Sequence, residues 1–249
     1  MKKIALITGA TSGIGLETTR LLLAADWNVI ITGRRKDRLD QLSEEFGEAV
    51  HALHFDVRDR QELRKQLGNL PESWKQIALL VNNAGNAHGL EHFQDGSWED
   101  WEAMIDINVK GLLAVTEAVI PLMRQRGEGH IINIGSIAGE QPYAKGSVYC
   151  ASKSAVSMLS DCLRIDLNAE GIKVSEIRPG MVETDFSLVR FKGDAERAAQ
   201  VYKGLKPLSG KDVAEAIVWM ALAPAHVNLA EVVIMPLAQA SARDFNRSV

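Results

Sequence analysis

Short, uniformly apolar runs recur along this chain, each separated from the next by a longer stretch of helical spacing. That alternation restricts the fold more than any other feature. The runs read as strands over 4–8, 28–32, 50–55, 77–81, 130–134, 174–177 and 232–235. Most lack the polar alternation of a half-exposed strand, as strands buried on both faces should. The intervening segments 14–25, 36–46, 98–125, 147–170 and 212–222 read as helices. In 36–46, for example, Leu39, Leu42 and Phe46 share one face and charge occupies the other. Repeated β-α-β units predict a doubly wound α/β fold, with parallel strands, right-handed crossovers and helices on both faces. The length suits a single domain over 1–249. The stretch 180–210 shows neither period, and a long irregular segment there is expected to serve as a lid over a site.

Composition excludes several functions. The net charge of −4 creates no basic field for nucleic acid or an anionic membrane. No run approaches the roughly 18 apolar residues of a membrane span. Lys2 and Lys3 precede an apolar run too short for a secretory signal. The two cysteines, Cys150 and Cys162, fall in one expected helix, where twelve residues separate them by roughly 18 Å, beyond disulfide reach. A reducing, cytoplasmic location is expected.

The first strand runs into Thr8-Gly9-Ala10-Thr11-Ser12-Gly13-Ile14-Gly15, which opens the first helix. Glycines let a backbone turn tightly and let a pyrophosphate approach the free N–H groups of a helix start. The second strand ends at Arg34-Arg35, where an NAD site would carry an acidic residue for the ribose hydroxyl. Two guanidinium groups suit a 2′-phosphate instead, which predicts NADP. Asn82-Asn83-Ala84-Gly85 and Ser136 place polar groups at the carboxyl ends of two further strands, where ligands of such folds bind.

Tyr149 and Lys153 stand one turn apart on one face of the expected 147–170 helix. In isolation such a pair is usually a core tyrosine and a surface lysine. An ammonium close to a phenol would favour its ionised form and bring it toward a working acid/base. His88-Gly89-Leu90-Glu91-His92 matches the spacing of an inverted zinc-protease motif, but its glycines make it a loop. No metal is expected.

Taken together, these residues resemble the short-chain dehydrogenase/reductase family: T-G-x-x-x-G-x-G, N-N-A-G, Ser136, Y-x-x-x-K and Pro179-Gly180, in this order over nearly the whole chain. The resemblance implies a Rossmann-type, seven-stranded sheet of order 3-2-1-4-5-6-7. It implies Tyr149 as acid/base, Ser136 polarising the carbonyl, Lys153 lowering the tyrosine pKa and holding the nicotinamide ribose, and Asn108 supporting a relay water. It places Asp56 and Val57 on the adenine, and Asn83, Ala84 and Gly85 beside them on the cofactor. Pro179, Gly180 and Val182 then follow, with Thr184 on the carboxamide. Within the family, Thr32-Gly33-Arg34-Arg35, the segment 129–136, the segment 186–194 and Pro224-Ala225-His226-Val227-Asn228 resemble members that act on short 3-hydroxy acids with NADP. These are also described as L-allo-threonine or serine dehydrogenases. A carboxylate substrate needs a cation, and Arg190 or Lys192 in the expected lid could supply it. A homotetramer is the family expectation. Two alternatives stand beside this one: a 3-oxoacyl-carrier-protein reductase of the same family, and a non-catalytic NADPH-binding sensor.

Overall fold

A computed structural model describes residues 2–247, so positions 1, 248 and 249 of the expected domain lie outside the described residues. The strands are β1 (Ile4–Ile7), β2 (Asn28–Gly33), β3 (Val50–His54), β4 (Ile77–Asn82), β5 (Gly129–Ile134), β6 (Ile172–Pro179), the two-residue β7 (Val182–Glu183) and β8 (Leu208–Ser209), and β9 (Glu231–Ile234). The helices are α1 (Gly13–Ala24), α2 (Lys36–Phe46), α3 (Arg60–Gly68), α4 (Trp98–Ile105), α5 (Leu112–Arg126), α6 (Ser147–Leu167), α7 (Asp185–Arg190), α8 (Ala195–Gln200) and α9 (Gly210–Ala221).

Seven strands pair in parallel in the order β3-β2-β1-β4-β5-β6-β9. This is the expected order, with β9 as the seventh sheet strand because β7 and β8 pair only with each other. The pleat of β1 shows why the strands read as unbroken apolar runs. Ile4 and Leu6 enter one core with Leu63 of α3 and Val119 of α5, while Ala5 and Ile7 enter the other with Leu16 of α1, Leu42 of α2 and Ile217 of α9.

Several expectations need correction. The helix α3 was not expected, because Leu63 and Leu67 are its only buried residues. Its start is set by the Asp59 side chain, which accepts from the N–H groups of Gln61 and Glu62. The strand β6 exceeds the expected 174–177, since Lys173 and Arg178 interrupt its apolar pattern. The 98–125 stretch runs from α4 into α5 through a π-helical segment, Asp106–Gly111. The 180–210 stretch is more regular than expected: β7, α7, α8 and β8 lie within it.

Candidate active site

The carboxyl ends of the sheet open into a cleft of about 840 Å³. At one end the glycine loop turns with positive φ at Gly9 (64°) and Gly13 (55°), a conformation that penalises any Cβ. Asn83 locks this loop from β4: its Nδ2 donates to the carbonyls of Thr8 at 2.8 Å and Gly9 at 3.1 Å. A Cβ at Gly15 would come within 2.5 Å of that same Nδ2 and 2.7 Å of the Gly9 carbonyl. Thr8 completes the latch by accepting the N–H groups of Asn83 and Ala84 at 3.0 and 2.9 Å. The start of α1 thus faces the cleft with an open, rigid cradle suited to a pyrophosphate.

Arg35 lies across the loop, donating through Nε and Nη2 to Thr11 Oγ1 at 3.2 and 2.9 Å and through Nη2 to Ser12 Oγ at 2.8 Å. These neutral partners leave its charge uncompensated. Arg34 is largely exposed and stands 3.9 Å from Asp56. Burial alone would raise the Asp56 pKa, but the bonds and charge of Arg58, with the charge of Arg34, hold it below the ordinary carboxylate range. Thr11, Ser12, Ile14, Asp56 and Val57 line the cleft here, as do Ala84 and Gly85. Such a wall could hold a dinucleotide bearing a 2′-phosphate.

At the other end, Ser136 follows β5 while Tyr149 and Lys153 project from α6, all on the cleft wall. Pro179, Gly180, Val182 and Thr184 close the far side. Thr184 caps α7 by accepting the Phe186 N–H at 3.3 Å, and a Cβ at Gly13 would meet its Cβ at 3.3 Å. The start of α7 thereby lies close against the glycine loop.

The Tyr149–Lys153 relationship departs from the expectation. Burial pushes the Tyr149 phenol up, and the neighbouring Tyr143 adds to this; a bond from Ser136 and the charge of Arg190 act in the opposite direction. Lys153 is not among these influences. Its Nζ instead donates to the Ile134 carbonyl at 2.8 Å. Burial lowers the Lys153 pKa to about 8, partly opposed by the charge of Glu176.

Four other expected residues stand off the cleft wall. Ala10 and Gly15 are buried behind the glycine loop. Asn108, in the π-helical segment, accepts the Asn86 N–H at 2.8 Å and donates to the Asn86 carbonyl at 2.9 Å and to Ser152 Oγ at 3.0 Å. Its amide is committed to holding the loop after β4 rather than facing the cleft. Lys192 turns away to pair with Asp100 at 2.9 Å.

Arg190 does enter the cleft. It donates through Nε to the Gly89 carbonyl at 3.0 Å and through Nη2 to the Tyr143 hydroxyl at 3.0 Å. Its guanidinium carbon lies 5.8 Å from the centroid of the Tyr149 ring. No carboxylate pairs with it among the described residues.

Sequence reasoning missed Tyr143, which shares the Arg190 contact, and Gln239, whose Oε1 accepts the Met181 N–H at 2.8 Å. Arg243, Phe245 and Arg247, near the end of the chain, also reach this wall. No local pattern marks Tyr143, just ahead of α6, and the others are brought in by long-range turns of the chain.

Fold and site together define a dinucleotide-binding protein of the doubly wound α/β class. Residues 3–194 match the family model described as short chain dehydrogenase, and the chain belongs to that family. It is 48% identical over 96% of its length, and 97% of the relative's, to the NADP-dependent 3-hydroxy acid dehydrogenase YdfG of Salmonella typhi. It is 44% identical to sulfoacetaldehyde reductase 2 of Chromohalobacter salexigens, covering 96% of each chain. The solved structure of a closed form of serine dehydrogenase complexed with NADP+ superimposes with a TM-score of 0.94 at 46% identity, covering 99% of both chains.

Proposed function

We propose that this chain is an NADP-dependent oxidoreductase acting on the CH–OH group of a short 3-hydroxy acid, or on the carbonyl of the corresponding 3-oxo acid. Serine, L-allo-threonine and 3-hydroxypropionate are the candidate substrates. The observation that carries this reading is Arg190, a cation without an acidic partner, set beside the Tyr149 ring inside the cleft. A carboxylate there would gain a charge-assisted hydrogen bond. The relatives named above as 3-hydroxy acid and serine dehydrogenases support the same substrate class.

The glycine loop would hold the pyrophosphate, Arg34 and Arg35 the 2′-phosphate, and Asp56 and Val57 the adenine. Asn83, Ala84, Gly85, Pro179, Gly180, Val182 and Thr184 would complete the cofactor wall. NADP supplies or accepts the hydride when bound. Tyr149 handles the proton at the substrate oxygen. Burial holds its phenol protonated, which suits donation to a carbonyl during reduction. In the reverse direction, the Ser136 bond and the Arg190 charge both favour the phenolate that must accept a proton. Ser136 steadies the oxyanion as it develops. Lys153 holds the nicotinamide ribose, with its Nζ already fixed to the end of β5. Asn108 contributes by fixing the Asn86 loop.

The test compares kcat/KM for 3-hydroxypropionate and its methyl ester. Arg190→Ala should cost the free acid about 10- to 100-fold, as for loss of one charged hydrogen bond, and leave the ester nearly unchanged. Equal losses for acid and ester would remove the carboxylate from the reading. Lys192→Ala should leave both rates near wild type.

The proposal extends to a cytoplasmic homotetramer. Met158 and Ile165 of α6 are 63% and 77% exposed, an apolar face suited to a subunit contact. Sedimentation equilibrium reads the subunit number directly.

A further inference from the structure

Behind the strand end that carries Ser136 lies a charged cluster not used in the mechanism above. Glu176 of β6 has no exposed surface. Its carboxylate accepts from Ser157 Oγ at 2.8 Å and from Arg178 Nε at 2.8 Å. Arg178 reaches onward to Glu140 and, at 3.0 Å, to Glu231. One cation therefore serves three carboxylates, and the cluster carries surplus negative charge. Burying a carboxylate is costly even when it is paired, so packing alone gives little reason for one here.

Glu176 is tied to both arms of the active site. Gly135 immediately precedes Ser136, and a Cβ on it would lie 1.9 Å from Glu176 Oε1. The carboxylate thus fills the space that a side chain at position 135 would need. On the other arm, Ser157 lies one turn beyond Lys153, with its Oγ 3.3 Å from the Lys153 carbonyl. Its stronger bond, to Glu176, links α6 to β6. Lys153 Nζ closes the circuit on Ile134, the residue before Gly135. The Gly135 N–H in turn donates to the Ile177 carbonyl at 2.8 Å, beside Glu176.

The groups facing Lys153 from other elements are few. Gly85, after β4, would bring a Cβ within 3.6 Å of Nζ and within 3.2 Å of Asn108 Oδ1, and both residues are neutral. Tyr149 lies on the lysine's own helix. Glu176 is the charged group that acts on the ammonium, working against the burial that lowers its pKa.

We propose that Glu176 is a positioning residue of the active site: its buried carboxylate, bound to Ser157 and filling the space beside Gly135, fixes the spacing of Ser136 and Lys153. This rests on the reading that Lys153, as a cation, holds the nicotinamide ribose. Through Ser157 and Gly135 the carboxylate sets geometry, and through space its charge opposes the burial that lowers the lysine's pKa.

The test uses Glu176→Gln, which keeps the shape and an acceptor for Ser157 but removes the charge. Lys153 is followed in the cofactor-free protein by competitive labelling with acetic anhydride across its titration, read by peptide mass spectrometry. The labelling midpoint should fall by about one pH unit, and the alkaline limb of kcat/KM should fall with it. A carboxylate that served packing alone would lower the rate and leave both midpoints in place, and that result overturns the proposal. Should the variant not fold, Ser157→Ala removes the bond that ties Glu176 to α6 and keeps the carboxylate. It should lower kcat/KM about 10-fold with the alkaline limb in place, and an unchanged kcat/KM overturns the proposal. Labelling requires no turnover, so failure of Glu176 in this role is distinguishable from failure of the proposed reaction.

Discussion

The Lys153 ammonium donates to the Ile134 carbonyl at 2.8 Å and leaves the Tyr149 phenol, one turn earlier on the same helix, to other partners. With a pKa lowered by burial to about 8, Lys153 is a cation below that pH and neutral above it. Any step that needs the cation is fully supported at lower pH and fails as pH rises through about 8. The alkaline limb of kcat/KM should therefore lie near pH 8 and vanish in Lys153→Met, with a loss of about 100-fold or more at neutral pH. A limb that survives this substitution would reassign it to another group.

Cofactor choice should follow the guanidinium groups at the end of β2. Arg35 is already oriented by Thr11 and Ser12. Arg34→Ala with Arg35→Ala should reduce kcat/KM for NADP by about 100-fold, since each lost charged hydrogen bond to phosphate is worth about 1.5–3 kcal/mol. Turnover with NAD should change little. Steady-state kinetics with both cofactors decide the matter, and parallel losses would count against a 2′-phosphate contact.

Gly15→Ala should damage the cradle from behind, since Gly15 itself lies off the cleft wall. The added Cβ would strike Asn83 Nδ2 at 2.5 Å and the Gly9 carbonyl at 2.7 Å, so the latch between β4 and the glycine loop must shift. The expected cost is about 1–3 kcal/mol of overpacking, seen as a lower midpoint in urea and weaker NADPH binding by fluorescence titration.

His130 predicts an acid limit to stability. It is buried in β5, with Nε2 2.8 Å from Ser175 Oγ, and burial lowers its pKa to about 3 from an ordinary 6.5. Below pH 6.5 the unfolded chain takes up a proton that the folded chain refuses. Stability from this group is thus complete above pH 6.5 and is lost as pH falls toward 3, by up to about 5 kcal/mol. Urea unfolding across that range should show the slope, and His130→Gln should flatten it.

Much of the site was legible because its signals are local. The glycine loop had to be a turn between a strand and a helix, and Arg34 and Arg35 had to follow β2. The i, i+4 spacing of Tyr149 and Lys153 correctly placed both on one face of α6, and both line the cleft. The same spacing did not determine which atom the lysine would touch. A flexible four-carbon side chain can reach either its own helix or the neighbouring strand end, and the packing of α6 against β5 decided for Ile134. The partners of Lys192 and Asn108 were not legible for a related reason: Asp100 and the Asn86 loop, distant in the chain, engage their polar groups.

The sequence by itself determined the architecture. Apolar runs without alternation demand a sheet covered on both faces, and the helical segments between them supply that cover through two cores. Tertiary structure alone decided the electrostatics: that Arg190 enters the cleft while Lys192 does not, that Tyr149 is held protonated, and that Glu176 lies behind Gly135. Periodicity records which face of an element is buried. The charge state of a buried group depends instead on a few ångströms between residues far apart in the chain, and no spacing along the sequence encodes that distance.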